Sequence, residues 1–266
     1  MAVSRDETKF IHFVMSVLED ILARKRKELP ALRHTKLPEA PELRPFQLGA
    51  PGRLGLIAEI KRKSPSAGWL SQTLSVEQRA AAYEAGGADA VSVLCDEHFF
   101  AGSYECLALA RSACSLPLLC KEFIIDPVQL DLARAWGADA ALLIVRCLTD
   151  AQLQDLVAAC TERKLAALVE IHTAVELKRA LAAGAELIGV NARDLDTLEM
   201  NATRAAAVLA EIPSNVRSVH LSGLSQPSDV ARIRRGPADA ALIGEALMRQ
   251  DDPLPLLSEL SAAASA

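Results

Sequence analysis

The sequence predicts an α/β fold, a (βα)8 or TIM barrel preceded by an N-terminal helical extension, and two observations predict it. The first is a repeat. Four segments, at 81–94, 132–145, 180–190 and 232–244, each join a helix-like stretch to a glycine break and a short apolar run. The second is the spacing of these breaks, which recur roughly every fifty residues, about twice the length of one strand-plus-helix unit. Each interval should therefore contain one more strand.

Four further apolar runs fill those intervals. They are GLIAEIK (55–61), PLLCKEF (117–123), AALVEIH (166–172) and RSVHLSG (217–223). Interleaved, the two sets give eight near-continuous apolar strands separated by amphipathic stretches such as SVEQRAAAYEAG and DAQLQDLVAACTERK. This alternation favours a closed barrel over an open doubly wound sheet. The open sheet remains the alternative, although no G-x-G-x-x-G motif follows the first strand, which weakens its dinucleotide-binding form.

Residues 1–50 lie outside the repeat. DETKFIHFVMSVLEDILARKRKEL has apolar positions at helical spacing with charges on the opposite face, and a Pro-rich connector follows it. We expect the helix and connector to pack on the barrel, which occupies 51–266, so that the chain forms a single domain overall. A solvated surface helix is the alternative for this segment.

Composition excludes several classes of protein. A chain of 266 residues that is 51% apolar can bury a full core, and its net charge of -5 argues against a nucleic-acid partner. The six cysteines form no C-x-x-C pair, and no two histidines stand at ligand spacing, so neither a disulfide framework nor a metal site is indicated. No apolar run approaches membrane-spanning length, and the N-terminus matches a signal peptide poorly. We expect a cytoplasmic protein with no membrane partner, and a monomer.

Polar or glycine residues stand at the C-terminal ends of six predicted strands. In a barrel, this is the end where the loops that carry the active site converge. The residues are Glu59 and Lys61 on the first strand, Lys121 on the third, Glu170 on the fifth, Asn191 and Arg193 on the sixth, Ser222 and Gly223 on the seventh, and Gly244 and Glu245 on the eighth. A single buried charge is more often half of a structural ion pair. Their coincidence at one rim favours an active site.

Two lysines and two glutamates held together should have pKa values that move apart and supply an acid and a base near neutrality. No Ser-His-Asp or Cys-His set is evident, because the five histidines are spread along the chain. His172 and His220 lie near strand ends, where we favour a packing role. The glycines after the last two strands, with Lys61 and Arg193 on the same rim, favour a small phosphorylated substrate.

The chain resembles the indole-3-glycerol phosphate synthase family over nearly its whole length. The resemblance is carried, in family order, by IAEIKRKSPSAG, VSVLCDEHFFAGS, LLCKEFIIDPVQLDLARAWGADAALLIV, LVEIHT, IGVNARDL, LSGL and ALIGEALM. It implies a carboxy-lyase of tryptophan biosynthesis that needs no cofactor and no metal. Its expected reaction converts 1-(2-carboxyphenylamino)-1-deoxyribulose 5-phosphate to indole-3-glycerol phosphate, carbon dioxide and water.

The resemblance also implies roles for individual residues. Lys121 looks like the general acid that protonates the substrate ketone, and Glu170 like the proton-transfer partner for dehydration. Lys61, with Glu59 beside it, looks like the group that holds the substrate carboxylate and assists dehydration. The remaining assignments are Asn191 and Arg193 for orienting the substrate, Ser64, Ser222, Gly223, Gly244 and Glu245 for phosphate and hydroxyl contacts, and Phe100, Phe123, Leu142 and Leu195 for the wall of the aromatic-ring pocket.

The sequence departs from the family pattern at the seventh strand. The family carries Glu-Ser-Gly there, whereas this chain reads Leu221-Ser222-Gly223. Leucine neither accepts a hydrogen bond nor transfers a proton, so a non-catalytic or impaired phosphate-ligand-binding barrel is an alternative. Phosphoribosylanthranilate isomerase is a further one, although that reaction needs a Cys/Asp pair where this chain has Glu59 and Lys61. Glu122 in place of Asp and Cys95 in place of Thr are expected to be minor.

Overall fold

The computed structural model describes residues 17–65, 67–71, 73–197 and 199–266. Eight parallel strands close into a barrel in which each strand pairs with its neighbours in chain order, and the last pairs with the first. The predicted (βα)8 barrel is therefore confirmed. The strands are β1 (Gly55–Ile60), β2 (Ala90–Leu94), β3 (Leu118–Lys121), β4 (Ala140–Ile144), β5 (Ala166–Ile171), β6 (Leu187–Asn191), β7 (Arg217–Leu221) and β8 (Ala240–Ile243).

Helices alternate with these strands and cover the outside of the barrel. Among the described residues, no helix is long and apolar enough to cross a membrane. The helices are α1 (Val17–Leu32), α2 (Val76–Ala85), α3 (Glu105–Ala113), α4 (Pro127–Ala135), α5 (Asp150–Glu162), α6 (Ala174–Ala182), α7 (Ala202–Ala210), α8 (Pro227–Arg234), α9 (Glu245–Met248) and α10 (Leu254–Ser265). A 3-10 turn (Val145–Cys147) follows β4, and a two-residue ribbon pairs Lys63–Ser64 with Gly68–Trp69 after β1.

Local sequence explains where several helices begin and end. Capping boxes start α2, α4, α5 and α6, because the side chains of Ser75, Asp126, Thr149 and Thr173 accept backbone N–H groups that the first helical turn leaves unbonded. Gly137 ends the turn after α4 with a φ of 101°, a left-handed conformation that favours glycine. The helices that follow β1, β3, β4 and β5 thus begin at positions that the local sequence sets.

Alternation along the strands directs the polar residues inward. Ile57, Leu119 and Leu168 belong to the core cluster inside the barrel. Their neighbours in each strand, such as Leu56 and Ala58, point to the opposite face and pack against the helices. Because side chains two positions apart in a strand share a face, Glu59 and Lys121 lie directly above Ile57 and Leu119. The inward face therefore changes from apolar to charged at the C-terminal end of the barrel.

Helix α1 packs against the barrel rather than lying in solvent. Leu18 and Ile21 are buried and join the core cluster inside the barrel. The structure differs from the expectation for this segment at two points. One of the charges that the pattern places opposite the apolar positions, Lys25, is only 3% exposed, and the helix continues past Pro30 to Leu32, into the predicted Pro-rich connector. The part of the predicted helix before residue 17 lies outside the described residues.

The connector between α1 and β1 follows the outside of the barrel. Arg44 fixes it, because its backbone N–H donates to Asp139 Oδ1 at 2.7 Å and its guanidinium donates to the carbonyls of Cys114 and Leu116 at 2.8 Å. These partners precede β3 and β4, at the N-terminal end of the barrel. The chain thus passes from the charged end of the barrel to the opposite end before β1 begins.

Candidate active site

Glu59 lies between two lysines at the end of β1. Its Oε1 is 3.0 Å from Lys61 Nζ and its Oε2 is 3.4 Å from Lys121 Nζ. Lys121 Nζ is also 4.0 Å from Glu170 Oε2. The four charged residues that the strand-end pattern singled out therefore form one chain of contacts across the mouth of the barrel.

The pKa values of the central pair move apart, but away from neutrality. Burial alone would raise the pKa of Glu59, yet the charges of Lys61 and Lys121 outweigh burial and lower it to about 2. Burial alone would lower the pKa of Lys121, yet Glu59 and Glu170 outweigh it and the net shift is upward. The pair is therefore an ammonium and a carboxylate at neutral pH. The two lysines and two glutamates were together expected to supply an acid and a base near neutrality. For Glu59 and Lys121 this expectation is wrong, because each stabilises the charged form of the other.

In the part of the chain that the structure describes, Glu170 makes a hydrogen bond through only one of its two carboxylate oxygens. Asn191 Nδ2 donates to Glu170 Oε1 at 2.9 Å, and Asn191 Oδ1 accepts from the backbone N–H of Arg193 at 2.9 Å. Glu170 is 1% exposed, and its Oε2 has no hydrogen-bond partner among the described residues. This second oxygen therefore makes only the 4.0 Å ion pair with Lys121 among the described contacts.

Two buried histidines hold the loops after β6 and β7. His172 Nε2 lies 2.8 Å from the carbonyl oxygen of Arg193, and His220 Nε2 lies 3.1 Å from that of Ser222. Burial lowers the pKa of His220 to about 4, so its neutral ring donates to Ser222 rather than titrating near neutrality. Ser222 has a φ of 69°, in the left-handed region that is uncommon for non-glycine residues. The packing role favoured for both histidines agrees with these contacts.

Two adjoining cavities open at this end of the barrel, and both are lined by Lys61, Lys121 and Arg193. One side of the first cavity is lined by apolar side chains. Together the two cavities include all fifteen residues singled out from the sequence. The first is lined by Glu59, Lys61, Ser64, Phe100, Lys121, Phe123, Leu142, Glu170, Asn191, Arg193, Leu195, Ser222 and Glu245, and the second adds Gly223 and Gly244.

Sequence reasoning missed the contribution of α1 to the first cavity. Val17, Leu18 and Ile21 line it beside the two phenylalanines. Their helical spacing was visible in the sequence and indicated a buried face. The pattern did not show that this face closes the mouth of the barrel, because that depends on where the connector places the helix.

An arginine that follows β4 was also missed. Arg146 lies 3.2 Å from Asp194 and 2.9 Å from Asp196 in the loop after β6, and 3.3 Å from Glu176 at the start of α6. Asp194 Oδ1 in turn accepts the backbone N–H groups of Asp196 and Thr197. Arg146 thus restrains the loop that carries two predicted site residues, although nothing in the local sequence links it to partners 48 and 50 positions away.

Leu221 fills the end of β7, where the resemblance leads us to expect glutamate. It is 1% exposed and lies beside Asn191 of β6 and Leu242 of β8. A Cβ added to Gly189 would lie 2.7 Å from Leu221 Cδ1, so the glycine leaves the space that the leucine occupies. The mouth of the barrel therefore has an apolar gap in its charged rim at β7. No cluster of His, Cys, Asp and Glu in the described part of the chain is suited to hold a metal ion.

The sequence profile of the family described as Indole-3-glycerol phosphate synthase matches residues 18–260. This match spans all eight barrel strands and includes every residue that lines the two cavities except Val17. The chain belongs to the indole-3-glycerol phosphate synthase family.

Individual relatives bear the same family name. The indole-3-glycerol phosphate synthase of Kineococcus radiotolerans is 42% identical over 263 residues, covering 94% of this chain and 96% of the relative. That of Bordetella pertussis is 47% identical over 202 residues, covering 76% of this chain and 77% of the relative. That of Desulfosudis oleivorans is 44% identical over 234 residues and covers 88% of each chain. Members of the family thus align with this chain over most of their own length.

Solved structures with low identity share the barrel. A 3-hexulose-6-phosphate synthase superposes with a TM-score of 0.64 at 16% identity, covering 79% of this chain and 99% of that structure. A thiamine phosphate pyrophosphorylase from Pyrococcus furiosus gives a TM-score of 0.59 at 15% identity, covering 80% and 96%. At these identities the likeness concerns the fold alone, whereas the family is decided by the sequence matches.

Proposed function

We propose that the two cavities form the active site of an indole-3-glycerol phosphate synthase, which converts 1-(2-carboxyphenylamino)-1-deoxyribulose 5-phosphate to indole-3-glycerol phosphate, carbon dioxide and water. The observation that carries the proposal is the position of Lys121. Its ammonium group lies 3.4 Å from Glu59 and 4.0 Å from Glu170, where an apolar cavity meets a polar one. A substrate with an aromatic ring at one end and a phosphate at the other matches that arrangement.

Ring closure is the step that Lys121 serves. The aromatic carbon that bears the carboxylate bonds to the ketone carbon, and the ketone oxygen gains negative charge as its π bond breaks. A proton from Lys121 to that oxygen lowers this barrier. Because Glu59 and Glu170 keep the lysine protonated, the acid is available at neutral pH. Loss of carbon dioxide then returns the bonding electrons to the ring and restores aromaticity.

Dehydration is the step that Glu170 and Lys61 serve. The new five-membered ring loses its hydroxyl group from one carbon and a proton from the adjacent CH2 group. A double bond forms between these two carbons and completes the indole ring. Glu170 Oε2, which lacks a hydrogen-bond partner in the described chain, takes this proton. Lys61 first holds the substrate carboxylate and then assists departure of the hydroxyl group, while Glu59, 3.0 Å away, keeps Lys61 in place. Asn191 fixes the orientation of Glu170 through its 2.9 Å hydrogen bond.

The polar cavity takes the phosphate. Arg193 supplies positive charge, and the turn Ser222-Gly223 and the segment from Gly244 supply backbone N–H groups. The carboxylate of Glu245 is paired with Arg249 at 2.7 Å, so we assign its backbone rather than its side chain to the anion. Phe100, Phe123, Leu142 and Leu195 line the apolar cavity and contact the ring, and Ser64 lies at its polar edge.

Growth of indole fluorescence on addition of the carboxyphenylamino-deoxyribulose phosphate tests the proposal, with release of carbon dioxide measured in parallel. Both should appear at equal rates. Binding of the substrate without either product would favour the impaired ligand-binding barrel suggested by Leu221, and absence of binding would contradict the assignment. The isomerase alternative predicts that phosphoribosylanthranilate is consumed instead.

A further inference from the structure

Lys25 is a buried cation outside the proposed reaction. It lies on α1, is 3% exposed, and its Nζ is 2.8 Å from Asp96 Oδ2, 3.0 Å from Glu122 Oε2 and 3.1 Å from Glu28 Oε2. Asp96 follows β2 and Glu122 follows β3, and both are 2% exposed or less. One helix is thus joined by one ammonium group to two successive loops at the mouth of the barrel.

Each buried carboxylate uses its second oxygen to hold an aromatic residue. Asp96 Oδ1 accepts the backbone N–H groups of Phe99 at 2.6 Å and Phe100 at 3.2 Å. Glu122 Oε1 accepts the backbone N–H of Phe123 at 2.6 Å. The same two carboxylates therefore bind Lys25 on one side and the backbone of the ring-pocket wall on the other.

The aromatic wall depends on how these segments are placed relative to one another. The rings of Phe100 and Phe123 have centroids 6.0 Å apart and belong to different loops. Ile21 lies one helical turn before Lys25 and lines the same cavity. The ammonium group thus joins three of the segments that build the apolar side, namely α1 and the loops after β2 and β3.

Energy alone does not account for this arrangement. A buried ion pair is often replaceable by apolar residues without loss of stability, and here negative charge is in excess. Burial raises the pKa of Glu122 to about 7, with Asp96 adding to the rise and Lys25 opposing it. The charges add directional hydrogen bonds, because the carboxylates of Asp96 and Glu122 fix the backbone of the loop in which each lies.

We propose that Lys25 is a positioning residue for the aromatic end of the substrate: through Asp96 and Glu122 it sets the spacing of Phe100, Phe123 and α1, and thereby the affinity of the cavity for the carboxyphenyl ring. The inference rests on the proposed function for the nature of that ring. It does not extend to the phosphate end, whose residues follow β6, β7 and β8 and make no described contact with Lys25.

The test compares ligands for the two ends of the site. In Lys25→Met, the inhibition constant of anthranilate and the KM of the substrate should each rise about tenfold, equivalent to about 1.4 kcal/mol. The inhibition constant of glycerol 3-phosphate should stay within about twofold. Lys25→Arg should recover most of the loss, because guanidinium also pairs with carboxylates. Lys27→Met, which removes an exposed cation from the same helix, is the matched control and should change neither constant.

The outcomes separate positioning from mere stabilisation. The proposal would be overturned if Lys25→Met raised the inhibition constants of anthranilate and glycerol 3-phosphate equally, or raised neither of them. If Lys25→Met does not fold, the double variant Lys25→Met/Glu122→Gln, which removes one charge of each sign, takes its place with the same expectation. If the unaltered protein forms no indole product, the proposed function fails. The two inhibition constants still decide whether Lys25 acts on one end of the site.

Discussion

Lys121 Nζ lies 3.4 Å from Glu59 Oε2, and each charge offsets part of the cost of burying the other. Replacing the lysine by alanine removes the proposed acid. Lys121→Ala should lower kcat by roughly a hundredfold to ten-thousandfold, the range expected for general acid catalysis, with an unchanged circular dichroism spectrum. Indole fluorescence measures the rate. Lys178→Ala, at an exposed site on α6, is the control, and near-normal turnover of Lys121→Ala would remove the residue from this role.

Glu59→Gln should move the pH profile. Without the charge of Glu59, burial has the larger influence and the pKa of Lys121 falls. Above that pKa the acid is deprotonated, so the alkaline limb of kcat/KM should shift to lower pH, in addition to any loss of rate. Steady-state rates from pH 6 to about 11 measure the limb. An alkaline limb that does not move would mean that another group controls it, and Glu259→Gln, exposed on α10, should leave it in place.

Leu221→Glu should raise activity by at least about tenfold, because it restores a carboxylate to the charged rim. Leu221→Gln introduces a side chain of the same shape as glutamate but without the charge, and it should not raise activity. Both are measured as kcat/KM with the indole product. A decrease with both variants would show instead that the mouth of the barrel has been rebuilt around the leucine.

Gly189→Ala should destabilise the fold by about 1 to 3 kcal/mol, the usual cost of overpacking a core. The added Cβ would lie 2.7 Å from Leu221 Cδ1. Urea unfolding gives the free energy. In a Leu221→Ala background the same substitution should cost much less, because the clashing methyl group is gone, and equal costs in both backgrounds would argue against the contact.

Stability should depend on Glu122 with a defined sign. Its pKa is about 7 in the folded protein, against an ordinary value of 4.5, so the folded state binds the proton more tightly. The free energy of unfolding should therefore fall as pH rises from about 4.5 to 7, and the loss should be absent in Glu122→Gln. The loss of unfolding free energy across this pH range is up to about 3 kcal/mol in the unaltered protein, and denaturant unfolding at several pH values measures it. A constant difference between the two proteins across this window would contradict the shift.

The barrel and its charged mouth could be predicted because their rules are local. The alternation of Leu119 with Lys121 and of Leu168 with Glu170 indicates which way each side chain points, and closure of the sheet brings the strand ends together. Lys25 and Arg146 could not be found this way. Their partners lie in other elements of the chain, and a charge on an amphipathic helix ordinarily indicates a solvent-facing position. Burial of Lys25 follows only from the docking of α1, which no periodicity encodes.

The attachment of the connector through Arg44 has a consequence for how the enzyme could be divided. Helix α1 contributes a wall of the cavity, yet it belongs to none of the eight strand-plus-helix units, and the chain reaches β1 only after passing to the far end of the barrel. A cut between Leu32 and Arg44 would leave every barrel strand on one fragment. In the intact chain the connector keeps the helix at a high effective concentration near the mouth of the barrel, so a separately supplied helix should dock on the barrel fragment and restore the aromatic side.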